Sequence, residues 1–366
     1  MRFKKYFFGD PPLGHKIQII LDDKKTDQLI SDNICAGQDA YILREVDDKY
    51  RMLACELADM GMFSIDRNFH INIACPIFLK KDIPVLKRLT EKHGQRLAES
   101  IILKKKAFED AVEGCDVRYS KAEHLYHLLC GAVFDGGFFE RLGNAGVVTV
   151  SKPQKNGQDY LPVLYEDDDE LNEFSAKLLC SYNRAGVKSG IFSSFGDADG
   201  DRHDIFRWYR RRISGITGIS EPLDRLYDCY GSKEIVALLA DKFVEAVNGI
   251  RIGEEWQDAF EWAGYMESGQ VCVPVYRNDI KNMAVQRLEE LAHRVVFDDM
   301  CMALSDIAAE KALTAVEMGI PAADIANEIY HLLFGQINEA LVREGFAAEP
   351  MHYEDQGRYL KCFEMK

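Results

Sequence analysis

Apolar residues along the chain recur with helical spacing in some stretches and by alternation in others, and the two kinds of stretch follow one another in a repeated order. Asp47–Ala58 carries Met52, Leu53 and Leu57 on one helical face, and Gly61 ends it. Met62–Ile65 and His70–Cys75 flank Asp66-Arg67-Asn68-Phe69, the pattern of a hairpin. The same succession returns as a helix over Glu254–Ala263, a stop at Gly264, and a hairpin from Tyr265 to Tyr276 turning at Glu267-Ser268-Gly269. Long helices are expected over Ile83–Glu113 and Lys281–Met318, the second periodic at Met283, Leu288, Leu291 and Val295.

A second helix-and-hairpin pair closes each half. Helices Ser120–Cys130 and Phe138–Leu142 lead through Gly143 to strands Val147–Ser151 and Tyr160–Tyr165, around the turn Asn156-Gly157. Helices Ala322–Phe334 and Ile337–Arg343 lead through Gly345 to strands Phe346–Ala348 and Arg358–Phe363, around Gln356-Gly357.

Residue identities follow the same order. Asp82-Ile83, Arg88-Leu89 and His93 match Asp279-Ile280, Arg287-Leu288 and His293. Tyr126-His127-Leu128-Leu129-Cys130-Gly131 matches Tyr330-His331-Leu332-Leu333-Phe334-Gly335, and Tyr160-Leu161 matches Tyr359-Leu360. The expected fold is therefore α+β and internally duplicated, with a first repeat at 1–166, a linking segment at 167–220 and a second repeat at 221–366. The period is far too long for a solenoid. Within the link, Leu171–Arg184 reads as a helix opened by the acidic run Glu166–Glu170. Gly186–Asp204 reads as a loop, and Ile205–Ile213 as a helix.

Composition narrows the class. An apolar content of 47% is enough for a full core, and no apolar run approaches the roughly 20 residues of a membrane helix. Gly9-Asp10-Pro11-Pro12 interrupts the apolar start, so no secretion signal is expected. The ten cysteines form no CxxC pair. Cys75, Cys130, Cys180 and Cys272 sit in apolar surroundings and read as reduced and buried, which favours the cytoplasm. A net charge of −15 repels polyanions at long range but leaves room for a local basic patch.

The helix, glycine and hairpin at Leu341-Val342-Arg343-Glu344-Gly345-Phe346 with Arg358–Phe363, and again at Ala263-Gly264-Tyr265-Met266 through Tyr276, resemble the recognition helix and wing of winged helix-turn-helix transcriptional regulators in the broad MarR/ArsR sense. The resemblance implies two winged-helix-like units, with a helix in the DNA major groove and a wing on the phosphates. Phosphate contacts would come from Arg207, Arg210, Arg211 and Arg212, with Trp208 and Tyr209 interleaved, and from the wing residues Lys152, Lys155, Arg358 and Lys361. The preferred reading of the same arginines is an exposed helix face pairing with the nearby aspartates.

Two other classes stay open. The acidic helix start Glu254-Glu255-Trp256-Gln257-Asp258 suits a protein- or ligand-binding module with no nucleic-acid role, its pocket between the repeats. The run Asp197–Asp204 could hold a divalent metal in an enzyme, although Arg202 and Trp208 stand where an EF-hand needs Gly and Glu. His124 and His127 share a helix face and could ligate a metal, but the recurrence of Tyr-His-Leu-Leu points to packing. No P-loop, GxSxG or HExxH motif is present, and no cofactor or catalytic residue is assigned.

Overall fold

The computed structural model describes residues 1–9, 15–36, 41–42, 48–155, 157–198 and 200–365; Asp10, Pro11, Pro12, Asp47, Asn156 and Asp199, on which parts of the expectations above fall, lie outside them. The chain is mixed helix and strand, of the α+β kind. It divides into two compact units, and each draws on both halves of the sequence. The first comprises Met1–Leu97, Phe139–Leu178 and Phe297–Gln336; the second comprises Ala98–Phe138, Leu179–Val296 and Ile337–Lys366. The compact units therefore do not follow the boundaries expected for the repeats.

In the first unit, strand Asp159–Glu166 is central. It pairs antiparallel with Phe3–Gly9 and with Lys152–Pro153, and parallel with Ile77–Phe78. Buried on both faces, it is a nearly continuous apolar run, as a covered strand requires. Helix Ile83–Ile102 starts from Asp82, whose buried carboxylate accepts hydrogen bonds from Leu79 N at 2.8 Å and from Thr314 N and Oγ1 at 3.0 Å. Part of helix Ala322–Arg343 lies in this unit. There Phe8 stacks on His331 at 4.3 Å, and Tyr165 donates its hydroxyl to Glu328. The three-stranded sheet of Tyr41–Ile42, His70–Ile73 and Phe63–Ile65 contains the expected hairpin at Asp66–Phe69.

In the second unit, strand Gly357–Met365 is central. It pairs antiparallel with Gly190–Asp197 and with His352–Tyr353, and parallel with Val275–Arg277; Cys180–Gly186 pairs outside Gly190–Asp197. Helices Ile205–Ile213, Glu221–Tyr230, Ile235–Val247 and Glu254–Trp262 pack an aromatic core on this sheet. Phe192 meets Phe243, Tyr265 and Phe363 with ring centroids 5.0–5.5 Å apart. Such close, angled ring pairs add to what area burial alone contributes.

The expected helix at Leu171–Arg184 and loop at Gly186–Asp204 are both corrected. The helix stops at Leu178, and Cys180–Gly186 and Gly190–Asp197 form a hairpin within the sheet. Gly190 and Gly196, which read as chain breakers, are points of close approach. A Cβ on Gly190 would come within 2.2 Å of the Phe363 ring, and one on Gly196 within 2.1 Å of the Arg358 carbonyl. Val147–Ser151 and Phe346–Ala348 are not strands; the pairing begins later, at Lys152 and His352. Helix Lys121–Leu125 continues as a π-helical stretch, Tyr126–Gly137, which kinks at Asp135 and Gly136.

Candidate functional site

Alternation along Gly357–Met365 puts Tyr359, Lys361 and Phe363 on one face of the strand. Phe363 sinks into the aromatic core, while Lys361 reaches the end of helix Glu254–Trp262 and donates from Nζ to the Ala263 carbonyl at 2.9 Å. That carbonyl belongs to the helix C-cap, where the backbone dipoles present partial negative charge to a cation. Gly264 follows at φ +66°, the left-handed conformation that ends many helices, and a Cβ there would stand 2.1 Å from the ammonium. One glycine therefore both closes the helix and makes room for the amine.

Three tyrosine rings surround this amine, with centroids 5.1 Å (Tyr359), 5.2 Å (Tyr353) and 6.0 Å (Tyr265) from Nζ. Lys361 is 6% exposed, and burial pushes its amine down to about 8. No carboxylate forms an ion pair with it among the described residues. It lines a cavity of about 470 Å³ whose walls also include Tyr119, Tyr126, Met266, Cys272 and Pro350. The Cys272 thiol, expected to be buried, is exposed and donates to the Gly264 carbonyl at 3.7 Å; burial and nearby carboxylates raise it, so it stays a thiol at neutral pH.

Four carboxylates touch the cavity, and two are committed elsewhere. Glu123 caps the helix at Ser120, and Glu261 accepts from Gly269 N at 2.9 Å. Glu267 and Glu349 lie exposed at its edge. The chamber thus combines aromatic and apolar walls, one interior amine and an acidic rim.

The expected phosphate contacts are spread over the two units and largely matched by carboxylates. In the first unit Lys152 pairs with the buried Asp324, and Lys155 with Asp59 at 2.6 Å. In the second, Arg207 donates to the Gly200 and Ala198 carbonyls at 2.8 Å, Arg211 pairs with Asp201, and Arg212 pairs with Asp228 and stacks over Tyr227. Arg210 lies in the last turn of the same helix, Ile205–Ile213. Arg358 pairs with both Asp197 and Glu339. Lys361, placed on a wing by its pattern, is instead interior: its amine bonds the Ala263 carbonyl at the end of helix Glu254–Trp262 and sits among three tyrosine rings.

The described carboxylates of the Asp197–Asp204 run are likewise engaged. Asp197 holds Arg358 and Asp201 holds Arg211. Asp204 caps helix Ile205–Ile213 by accepting from Arg207 N at 2.7 Å, and accepts from Ser194 Oγ at 2.9 Å. No group of metal-ligating side chains is assembled among the described residues. His124 bonds Tyr276 Oη and the Asp116 carbonyl, and His127 bonds Ser193 Oγ on the sheet at 3.0 Å. Burial holds His127 down at about 3, so it is neutral. A second polar cluster joins Lys281 to Glu364 at 2.7 Å and Arg184 to Glu364 at 2.9 Å, so both cations already hold a carboxylate.

No protein-family model matches the chain, and comparisons with curated proteins and with solved structures return no match. The site missed by sequence reasoning is the Lys361 chamber. Its signal was a lysine on the apolar face of an alternating strand, Tyr359-Leu360-Lys361-Cys362-Phe363.

Proposed function

We propose that the protein is an internally duplicated α+β binding protein that holds a small, uncharged, aromatic molecule in the chamber around Lys361. Duplication is supported by two sheets built alike. Phe3–Gly9 and Ile77–Phe78 flank Asp159–Glu166 as Gly190–Asp197 and Val275–Arg277 flank Gly357–Met365, antiparallel on one side and parallel on the other. The registers agree as well: Phe8 opposes Leu161 and Gly9 opposes Tyr160, while Phe195 opposes Leu360 and Gly196 opposes Tyr359. The sequence around them reads Phe8-Gly9-Asp10 and Phe195-Gly196-Asp197. By the same alignment Pro162 stands in the first copy where Lys361 stands in the second, so the chamber is a speciality of the second copy.

The observation that carries the ligand reading is an amine held in an aromatic-walled chamber with no ion-pair partner among the described residues. Burying a charged group in this way is costly, and chains retain such arrangements where they are used. The acidic rim disfavours anions, the interior amine disfavours cations, and the tyrosines favour a flat ring. Titration with 4-hydroxybenzyl alcohol, followed by saturation-transfer NMR, tests this reading. Transfer to the ring protons is expected with the native chain and its loss with Met351→Trp, which enlarges an exposed residue at the chamber mouth. Equal transfer for both proteins, or none for either, removes the reading.

A cytoplasmic regulator with tandem winged-helix-like units is the second reading. It is favoured by the order of helix Ala322–Arg343, Gly345 at φ +62° and the hairpin His352–Tyr353 with Gly357–Met365. Weighing against it, the wing strand has neighbours on both edges and most of the expected phosphate-binding cations are engaged by carboxylates. Either role suits a reducing compartment, since all ten cysteines are free. Among the described residues no helix is long and apolar enough to cross a membrane.

A further inference from the structure

We infer that Lys361 captures its ligand covalently, as an imine with a neutral aromatic aldehyde or ketone; this rests on the chamber being a binding site. The geometry supplies what that chemistry needs. Among the described residues the amine is anchored by one acceptor, the Ala263 carbonyl, and it opens onto a chamber large enough for a substituted ring. Gly264 presents no side chain that would crowd the amine. The Tyr353 and Tyr359 rings stand about 5 Å from Nζ, placed to flank a ring bonded to it. The acidic rim turns away carboxylated and phosphorylated carbonyl compounds, leaving uncharged ones.

An amine must be neutral to attack. With the Lys361 amine held at about 8, its neutral fraction near pH 7.5 is roughly two hundred times that of an ordinary lysine. The titratable and charged groups around it are Cys272, His203, Asp204 and the three tyrosines, with Glu261, Glu267 and Glu349 lining the chamber. The Nζ lone pair attacks the carbonyl carbon, the C–N bond forms, and the oxygen takes a proton to give a carbinolamine. Nitrogen then forms the C=N bond as the C–O bond breaks, losing its proton, and the hydroxyl leaves as water. The balance is one amine and one carbonyl to one imine and one water, with no change of oxidation state.

The test uses the full chain with 4-methoxybenzaldehyde, which has no ionisable group, and sodium cyanoborohydride, which fixes an imine as a stable secondary amine, followed by peptide mapping. Lys361 is expected to be labelled at least about tenfold faster than the exposed Lys104 and Lys188, the excess following from its neutral fraction after allowance for access. Lys361→Arg should abolish the fast label. Met351→Trp, which keeps the amine but narrows the mouth, should slow it, so the test survives if the arginine variant fails to fold. Labelling spread evenly over surface lysines, or an unlabelled Lys361, overturns the inference. If Lys361 stays unlabelled while 4-hydroxybenzyl alcohol still binds, the covalent step alone is wrong; if the alcohol does not bind either, the chamber is not the site.

Discussion

At the scale of single residues, Lys361 sets a functional demand against stability. Burial lowers its amine to about 8 from the 10.5 of a free lysine. Between these values the unfolded chain binds more protons than the folded one, so stability rises with pH there; below about 8 the whole penalty is present. Lys361→Met removes the charge and keeps much of the side-chain volume. It is expected to stabilise the fold by about 1–3 kcal/mol at pH 7, with the gain shrinking between about pH 8 and 10.5. Urea denaturation at pH 7 and pH 10 checks this. A variant less stable than the parent at pH 7 would show that the amine's bond to Ala263 outweighs its desolvation. Glu328 shows the opposite sign in the first unit: burial raises its carboxyl to about 7, so near neutrality it is only partly ionised.

At the scale of elements, the recurrence of Tyr-His-Leu-Leu pointed to packing, and the glycine that follows each segment makes a close approach. A Cβ on Gly131 would lie 2.9 Å from Phe195 Cγ, and one on Gly335 would lie 1.9 Å from the Leu178 carbonyl oxygen. Both glycines bring a helix close to a neighbouring segment within their own unit. A side chain can turn away, whereas a backbone carbonyl cannot. Gly335→Ala is therefore expected to cost roughly 3 kcal/mol or more, and Gly131→Ala about 1–2 kcal/mol, read as the shift of the denaturation midpoint at unchanged slope. Equal costs would mean that the Leu178 segment yields as readily as a ring. The accompanying histidines do different work. His127 bonds the sheet through Ser193, whereas His331 bonds its own helix at Asn327 O and stacks on Phe8.

At the scale of the whole molecule, a net charge of −15 and the paired arginines bear on the regulator reading. Duplex DNA is bound by cations that release counterions, and a cation already held by a carboxylate contributes little to that release. No retention of random duplex DNA on filters is expected at about 50 mM salt, where phosphate contacts are strong. Retention that weakens steeply with added salt would restore the winged-helix reading, with Arg210 and its neighbours as the first candidates.

Much of the local architecture was legible in the sequence, and the chamber was not. Helical periodicity marked Ile205–Ile213 and Glu254–Trp262, and Gly264 was a recognisable stop, because helix content and helix ends depend on near neighbours. The hairpin turns at Asp66–Phe69 and Gly357 were legible for the same reason. The strand Gly190–Asp197 was hidden because its glycines answer to Phe363 and Tyr359, more than 150 positions away. Lys361 was misplaced for a related reason: alternation shows which residues share a face, but not what covers that face. The pairing of Arg211 with Asp201 was legible, because those residues are near neighbours in the chain. Only the tertiary structure brought the Ala263 carbonyl at the end of helix Glu254–Trp262 to the amine and matched Arg358 with Asp197 and Lys152 with Asp324. Such pairings depend on contacts between segments far apart in the chain, and no local spacing records them.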